Sequence, residues 1–442
     1  MRDVWLGRDD VDLDVAVPEG ALAIARRVAD RLGGAFVSLD PDRGAARVLA
    51  GGLRLDVTDF RAGTLAGDLA ARDYTVNALA VDLRTLLSSG RAPVIDPTGG
   101  LADLRARRLT PPSPSVLADD PLRALRGVRL EATLGLRLTR SALAAIRAVA
   151  QDLGAVSAER VRDELVVLLG LSRTSRAIRR LDALGLLASI VPEVEPMRAT
   201  PQPAPHRFSV LEHSLRAVAG ADRLLGRLTA LGPLGEELAA HIRETLGGGI
   251  ERRHTLKLAA LLHDVAKPET RRAVGGRVRF LEHDRIGAAR ARAIGERLRL
   301  PGRAVDTLER LVRHHLRPMH LASAGEVTRR ARYRFFRDLG EDSRDLLLLA
   351  LADAGAVRGE SPLGVWRRSG VVRDLLAGWE EERTAAAAPP LVQGEDIMAR
   401  YGLQPGPAVG GLLRRAREAQ DLGRIATREE ALAYLDSLAP EP

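Results

Sequence analysis

The sequence predicts an α/β head followed by an all-helical body, and three observations carry that expectation. Two segments near the N-terminus alternate apolar and polar residues with period two. From about residue 115 onward the apolar residues recur at helical spacing instead. The stretch Thr200-Pro201-Gln202-Pro203-Ala204-Pro205 then interrupts the helices as a linker, since three prolines stop any helix.

Taken in order, Val11, Leu13, Val15 and Val17 alternate with Asp12, Asp14 and Ala16, which reads as a half-buried strand. Leu53, Leu55 and Val57 alternate with Arg54, Asp56 and Thr58 in the same way. Helical stretches around 19–32 and 73–82 complete a head over 1–105. Asp120 followed by Pro121 reads as an N-cap with proline at the first helical position. Segments 140–151, 158–170 and 174–187 extend this into a helical neck over 106–200. A histidine-bearing, all-helical region covers 206–375. Within it, 254–267 reads as one helix, because Leu258, Leu261, Leu262 and Val265 fall at i, i+3, i+4 and i+7 and Pro268 stops it. Residues 385–390 form a second, weaker boundary in a helical tail over 376–442. No internal repeat is visible.

At 442 residues the chain has room for roughly three domains. Its 45% hydrophobic and 28% charged content fits a globular protein. No run of eighteen apolar residues occurs, so no membrane partner is expected. The N-terminus carries no secretory pattern, and the chain has no cysteine, which together predict a cytoplasmic location. The net charge is +9, and the cations are almost all arginine, with Lys257 and Lys267 the only lysines. Genome composition accounts for much of the arginine preference, yet surplus positive charge favours a polyanionic partner. Aromatic content of 3% argues for phosphate and shape contacts over base stacking.

Chemistry concentrates in four ordered motifs: Asp12-Leu13-Asp14, Asp56-Val57-Thr58-Asp59-Phe60-Arg61, Arg72-Asp73-Tyr74-Thr75-Val76-Asn77-Ala78 and Asp120-Pro121-Leu122-Arg123-Ala124-Leu125-Arg126. On a strand, residues i and i+2 share a face, so Asp12 and Asp14 project together. Close carboxylates repel unless a cation sits between them, and oxygen-only donors favour Mg²⁺. Asp56 can complete the cluster from a neighbouring strand. Such a triad can hold two metals roughly 3.5–4 Å apart, one for an attacking hydroxyl and one for a triphosphate. Alone, an Asp-x-Asp pair equally fits a solvated strand face. Arg72-Asp73 reads as the opening turn of a helix containing Tyr74, Val76, Asn77 and Ala80. Arg123, Arg126 and Arg129 recur every three residues and share one helix side, a solvated face or an anion site.

As an ordered set these motifs resemble the head and neck of the class II tRNA nucleotidyltransferase and bacterial poly(A) polymerase family. The resemblance implies a polymerase-β-like nucleotidyltransferase head, an all-α neck, an HD helical domain and a helical tail. It implies catalysis by Asp12, Asp14 and Asp56, with Mg²⁺ on Asp12 and Asp14. It carries contacts with the incoming nucleotide to Arg2, Asp3, Arg72, Asp73, Asn77, Asp119, Arg123 and Arg126. Ile95-Asp96-Pro97-Thr98-Gly99-Gly100-Leu101-Ala102-Asp103-Leu104 resembles the family's closing segment of the head. Ser157-Ala158-Glu159-Arg160-Val161-Arg162 lies where the family reads the base. Gly402 to Gly410 resembles the RNA-holding C-terminal segment of bacterial relatives, or a turn between two helices.

Two departures stand out. The family's head begins with a strand leading into Gly-Gly-x-[Val/Ala]-Arg-Asp, whereas this chain opens Met1-Arg2-Asp3. A start placed downstream of the true one is one expectation, a degenerate head the other. The link from Phe60-Arg61 to Asp68-Leu69 is also only six residues, Ala62 to Gly67, which resembles variants adding only part of a CCA end.

In the third region His263-Asp264 is joined by His213, His283-Asp284, His315 and Asp353. This pattern resembles the HD metal-dependent phosphohydrolase superfamily. The resemblance implies a divalent metal such as Mg²⁺, Mn²⁺ or Ni²⁺ on His213, His263, Asp264, His283 and Asp353, and phosphoester hydrolysis at RNA ends. The expectation for the whole chain is template-independent transfer from CTP or ATP to the 3′ end of a tRNA or other RNA. A poly(A) polymerase, a phosphohydrolase with a decayed head and a non-catalytic RNA-binding protein are the alternatives. No sequence signal sets the oligomeric state.

Overall fold

The computed structural model describes residues 1–8, 13–325, 327–380, 383–384 and 389–438. Asp12 and most of the 385–390 boundary therefore lie outside the described residues. The chain divides into two compact units, Met1–Leu168 with Ala177–Pro192, and Leu169–Arg176 with Glu193–Pro442.

In the first unit four strands form one sheet: β1 (Leu13–Val17), β2 (Ala35–Asp40), β3 (Ala45–Ala50) and β4 (Leu53–Asp59), in the order β1-β4-β3-β2. β1 runs parallel to β4, while β4–β3 and β3–β2 are antiparallel. The helix Ala21–Leu32 covers one face. Its small residues Ala21, Ala25 and Ala29 lie against Ala46, Val48 and Val57, with Val15, Val17 and Leu55 around them. Small side chains let helix and sheet approach closely, and each buried valine stabilises the layer by roughly 1.5–3 kcal/mol. Period two then sends Asp14, Asp56 and Arg47 to the opposite face. Asp59, one odd step on, turns back and accepts a hydrogen bond from the Ala21 amide at 2.8 Å, anchoring that helix.

The helix expected over 73–82 does not form. Residues Thr75–Asn77 make a single 3₁₀ turn, and Ala80–Val81 pairs as a short strand with Val94–Ile95. The reason is local: Asp73 Oδ1 accepts from the Tyr74 amide (2.8 Å) and from Asn77 Nδ2 (2.8 Å), offering the backbone an alternative to helix. The closing segment follows. Asp96 accepts from the Gly100 and Leu101 amides at 2.7 and 2.9 Å and so caps the helix Gly100–Arg105. A Cβ at Gly100 would stand 2.1 Å from the Thr75 carbonyl oxygen, so the second glycine permits this approach.

The helix Leu122–Leu134 starts where Asp120-Pro121 predicts, with Asp120 Oδ1 accepting from the Leu122 amide at 3.3 Å. Ala158–Leu169 forms as expected, whereas 140–151 ends its α-helix at Ala148. The 174–187 segment splits into Thr174–Ala183 and Leu186–Ile190 around Gly185, whose φ is 80°.

The second unit packs helices Val210–Leu225, Arg252–Leu262, His283–Arg297, Gly302–His314 and Asp342–Arg358 around a leucine- and alanine-rich core. It is not all-helical. Two hairpins interrupt it, Thr245–Gly247 with Ile250–Glu251 and Arg271–Val274 with Arg277–Phe280. Both turn on glycines at positive φ, Gly247 to Gly249 and Gly275-Gly276. The 254–267 helix is also shorter than expected. It ends at Leu262, and Pro268 sits in the first turn of a separate helix, Lys267–Thr270. The Thr200–Pro205 linker is irregular, as three prolines require, but tied: Gln202 Oε1 accepts from Lys267 Nζ at 2.8 Å. The tail folds as helices Gly394–Tyr401, Pro407–Asp421 and Arg428–Asp436 around Ile397, Ala419 and Leu435, and Gly402 is the left-handed cap of the first. No helix among the described residues is long and apolar enough to cross a membrane.

Candidate active site and histidine centre

On the open sheet face three charged residues line up across adjacent strands. Asp14 is the register partner of Asp56 on the parallel strand β4, and Asp56 is the partner of Arg47 on β3. Facing residues of neighbouring strands lie only about 5 Å apart, so the two carboxylates share one patch of surface. Arg47 binds Asp56 through two parallel hydrogen bonds, 2.7 Å from Nε and 2.8 Å from Nη2. A bidentate guanidinium there shows how strongly this carboxylate attracts a cation. The donor chemistry of Asp14 and Asp56, oxygen only and partly solvent-exposed, suits a hard divalent ion. No motif in the sequence marks Arg47, whose role arises only from the pairing of β3 with β4.

The cationic part of the head collects in one cluster. Asp68, almost fully buried, accepts from Arg72 at 3.1 Å and from the Arg61 amide at 3.2 Å. Asp73, also buried, pairs with Arg126 at 3.3 Å on the Leu122–Leu134 helix. Arg2 Nη1 donates to Asn77 Oδ1 at 2.5 Å and grips Asp3 through Nε and Nη2. Arg123 Nη1 donates to the Val116 carbonyl at 3.0 Å, and the Arg123 carbonyl accepts from the Tyr74 hydroxyl at 3.0 Å. The structure thus brings Arg72, Asp73, Asn77, Arg126, Arg2 and Asp3 into one hydrogen-bonded chain and ties Arg123 to it through Tyr74. Asp119 stands apart, exposed at the end of the helix Ser115–Asp119, and its neighbour Asp120 makes the contacts instead, including one with Arg160 at 2.7 Å. Glu164 on the Ala158–Leu169 helix pairs with Arg129 at 2.5 Å and approaches Arg126 at 3.8 Å.

Charge states follow from this packing. Burial works against ionisation of Asp73, but Arg126, with the Asn77 and Tyr74 hydrogen bonds, outweighs it and holds the carboxyl below its ordinary range. Partial desolvation, and then the adjacent Arg123, push the Arg61 guanidinium down. An arginine crowded by other cations favours a polyanion such as a triphosphate. Arg61 was a further residue the sequence did not single out, although it closes the second motif.

In the second unit the histidines converge. His213 comes from Val210–Leu225, His263-Asp264 from the end of Arg252–Leu262, His283 from the start of His283–Arg297, His315 from the cap of Gly302–His314 and Asp353 from Asp342–Arg358. Two groups form, His213 with His263 and Asp353, and Asp264 with His283 and His315; in each the ligand atoms lie within 4.8 Å of one another. His213 Nε2 lies 2.9 Å from Asp353 Oδ1 and 3.2 Å from His263 Nε2, and His283 Nε2 lies 3.3 Å from His315 Nε2. Asp264 joins the groups, with Oδ2 3.6 Å from His213 and Oδ1 3.5 Å from His283. His315 closes the second group although the HD resemblance did not place it among the ligands, and Asp284 belongs to neither.

Three rings are oriented by the backbone. Nδ1 of His263, His283 and His315 contacts the carbonyls of Ala260, Phe280 and Val312 at 3.1, 2.7 and 2.7 Å, each three residues back. That fixes the proton on Nδ1 and turns the Nε2 lone pair inward, as a metal-ligating histidine requires. Burial disfavours a charged Asp264, yet His263 and Lys267 outweigh it and keep the carboxyl well below its usual range. Burial lowers His315 to about 4, so its imidazole is neutral and available as a donor. Four imidazoles whose Nε2 atoms converge with two carboxylates fit divalent metal, and nitrogen donors admit transition ions that the head's oxygen set does not favour.

Three family models match successive parts of the chain. A family model described as the poly A polymerase head domain matches residues 1–110, one described as a probable RNA and SrmB-binding site of polymerase A matches 135–198, and an HD domain model matches 210–356. These define the class: a polymerase-type head with an HD domain. The A-adding tRNA nucleotidyltransferase of Deinococcus radiodurans is 38% identical over 100% of this chain and 94% of its own length. The CC-adding tRNA nucleotidyltransferase of Thermus thermophilus is 38% identical over 98% of this chain and 91% of its own. The chain belongs to the tRNA nucleotidyltransferase family. Its fold matches a CCA-adding enzyme in apo form with a TM-score of 0.64 at 19% identity, covering 100% of this chain and 89% of that one.

Proposed function

We propose that this enzyme transfers nucleotides from CTP or ATP to the 3′ end of tRNA and builds part of the CCA sequence rather than all of it. The observation that carries the transfer reading is the register of Asp14 against Asp56 on parallel neighbouring strands. Relatives that span the chain bear names of this activity, one A-adding and one CC-adding. The reading of a partial product rests on the short link after β4. Thr64 caps the helix Leu65–Ala70 by accepting from the Gly67 amide at 3.1 Å, and Asp68 holds the Arg61 amide, which leaves little free chain between them.

In this reading 1–105 is the transferase head, 106–200 the neck, 206–375 the HD domain and 376–442 an RNA-binding tail. Asp12, Asp14 and Asp56 would hold Mg²⁺, which when bound supplies charge neutralisation at the phosphates and a more acidic 3′-hydroxyl. Asp56 orients the hydroxyl, and Arg47 sets the position of Asp56. Arg2, Arg72, Arg123 and Arg126 would position the triphosphate, with Asp68 fixing Arg72 and Asp73 fixing Arg126. Asp3 and Asn77, both bonded to Arg2, would contact the same nucleotide. Asp119, exposed at the end of the helix Ser115–Asp119, would meet the nucleotide from the neck.

The test uses purified protein, Mg²⁺ and tRNA lacking its CCA end, with CTP, ATP or both. Two cytidylates and a stop, or one adenylate on a tRNA ending in CC, support the reading. Complete CCA addition or a long A-tail overturns it.

A second activity is favoured by one specific observation, the three imidazoles whose Nδ1 contacts backbone carbonyls so that Nε2 faces the buried Asp264 and the half-buried Asp353. The HD domain would hydrolyse phosphate esters at RNA ends with Mg²⁺, Mn²⁺ or Ni²⁺. Release of p-nitrophenol from bis(p-nitrophenyl) phosphate, dependent on added metal, tests it.

A further inference from the structure

The hairpin Arg271–Val274/Arg277–Phe280 carries four arginines, all exposed. Its register sets Arg272 opposite Arg279 and Val274 opposite Arg277, so Arg272, Arg277 and Arg279 share one face. Guanidiniums facing each other across a hairpin repel, and the pair weakens the element unless an anion lies between them. Among the described residues no carboxylate pairs with Arg271, Arg272, Arg277 or Arg279, and Arg272 donates only to the carbonyls of Glu269 and Arg271. Nearby exposed arginines behave differently: Arg285 pairs with Glu282 and Arg290 with Glu269.

The hairpin is rooted in the histidine centre. Its first strand begins directly after the helix Lys267–Thr270, and its last residue, Phe280, contacts His283 Nδ1 through its carbonyl at 2.7 Å. The Phe280 ring lies 5.5 Å from the Lys267 ammonium, which binds Asp264 at 2.6 Å. Gly275-Gly276 close the tip at positive φ, which suits a tight two-residue turn and leaves the arms extended. With a rise near 3.4 Å per residue, the arms reach about 10 Å from root to tip.

We propose that this hairpin grips the sugar-phosphate backbone of a single RNA strand through Arg272, Arg277 and Arg279 and presents the strand to the histidine centre. A polyanion is the partner that unpaired, like-charged guanidiniums on one face select, since each phosphate removes the repulsion and releases counterions. RNA is the polyanion that the chain's family places within reach. The scarcity of aromatic residues leaves phosphate contact as the grip. The proposal depends on the phosphohydrolase reading only for what the strand is delivered to, not for the grip itself.

Full-length protein is photo-cross-linked to a short single-stranded oligoribonucleotide containing 4-thiouridine and ending in a 2′,3′-cyclic phosphate, and its affinity is measured against salt. Cross-links are expected within 271–280. The variant R272A/R277A/R279A is expected to lose them, to bind about tenfold more weakly and to flatten the slope of log K against log salt by roughly 2, from about 0.7 per phosphate contact. R272K/R277K/R279K keeps the charge and is expected to keep most of the slope, which separates the grip from any folding defect. Wild-type cross-links that avoid the hairpin, or a slope unmoved by the alanine variant, would overturn the proposal. Failure of wild type to hydrolyse bis(p-nitrophenyl) phosphate would overturn the phosphohydrolase reading instead, with the cross-links still deciding the grip.

Discussion

In the head, Asp14 and Asp56 stand on an open sheet face, their alignment set by strand register and Asp56 steadied by Arg47. In the second unit, histidines and carboxylates from five helices meet in a buried centre, and three of the rings contact backbone carbonyls. The first arrangement supplies hard oxygen donors on a face that solvent reaches. The second supplies mostly nitrogen donors in a pre-set geometry with little solvent. Register places side chains cheaply but leaves them exposed, whereas convergent helices bury the ligands and fix them. The two centres should therefore respond differently to the same perturbations.

The largest expected effect is at Asp14. Asp14→Ala should lower nucleotide incorporation by at least about a thousandfold, since removing a group that acts on developing charge costs roughly 10²–10³ or more. Metal binding at the histidine centre, followed by calorimetry with Mn²⁺, should persist in that variant. Asp264→Asn should do the reverse, weakening Mn²⁺ at the histidine centre by at least about a hundredfold. Retained nucleotide incorporation in Asp264→Asn would keep the two centres apart, and a matching loss would merge them.

Asp73→Asn comes next. It leaves Arg126 partly buried with Glu164, at 3.8 Å, as its remaining partner. About 2 kcal/mol of stability should be lost, less than for a fully buried pair because Arg126 is partly solvated. KM for the nucleotide should rise about tenfold or more, read from thermal melts and steady-state kinetics. Gly127→Ala tests the same cluster sterically. A Cβ there would stand 1.9 Å from the Tyr74 hydroxyl, so the hydroxyl must leave the Arg123 carbonyl at a cost of about 1–3 kcal/mol. Tyr74→Phe in that background should restore only part of the loss, since the ring carbon Cζ would still stand 2.7 Å from the new Cβ.

The smallest effect is on acid stability. Burial, and then the neighbouring Arg253 and Lys257, lower His254 to about 4 from its ordinary 6.5. Its Nδ1 accepts from the Glu251 amide at 3.0 Å, which only the neutral ring can do. The unfolded chain therefore binds the extra proton first, and stability should fall as pH drops from about 6.5 towards 4. His254→Asn should flatten that part of the profile in urea melts, and an unchanged profile would remove His254 from the account.

Much of this was legible from residue types and spacing. Period two over Leu13–Val17 and Leu53–Asp59 put Asp14 and Asp56 on outward faces, and the Asp120-Pro121 start foretold the Leu122–Leu134 helix. The 73–82 segment misled because its hydrophobic spacing fits a helix, while Asp73 captures local amides that no pattern count registers. Arg47 was missed for a related reason: its role exists only through pairing with Asp56 across strands. The Arg271–Phe280 hairpin was overlooked inside a helical region, although Arg277-Val278-Arg279-Phe280 alternates and Gly275-Gly276 marks the turn. His315 lies 102 residues after His213 in the chain (315 minus 213), and only tertiary packing brings both into the same centre.

The most direct test of the central claim measures incorporation of labelled CTP and ATP into tRNA lacking its CCA end by Asp56→Ala, with folding checked by thermal melting. The account predicts a folded protein whose rate has dropped by about a thousandfold or more, because the carboxylate in register with Asp14 is gone. A folded variant that still incorporates nucleotide within tenfold of the wild-type rate would contradict it.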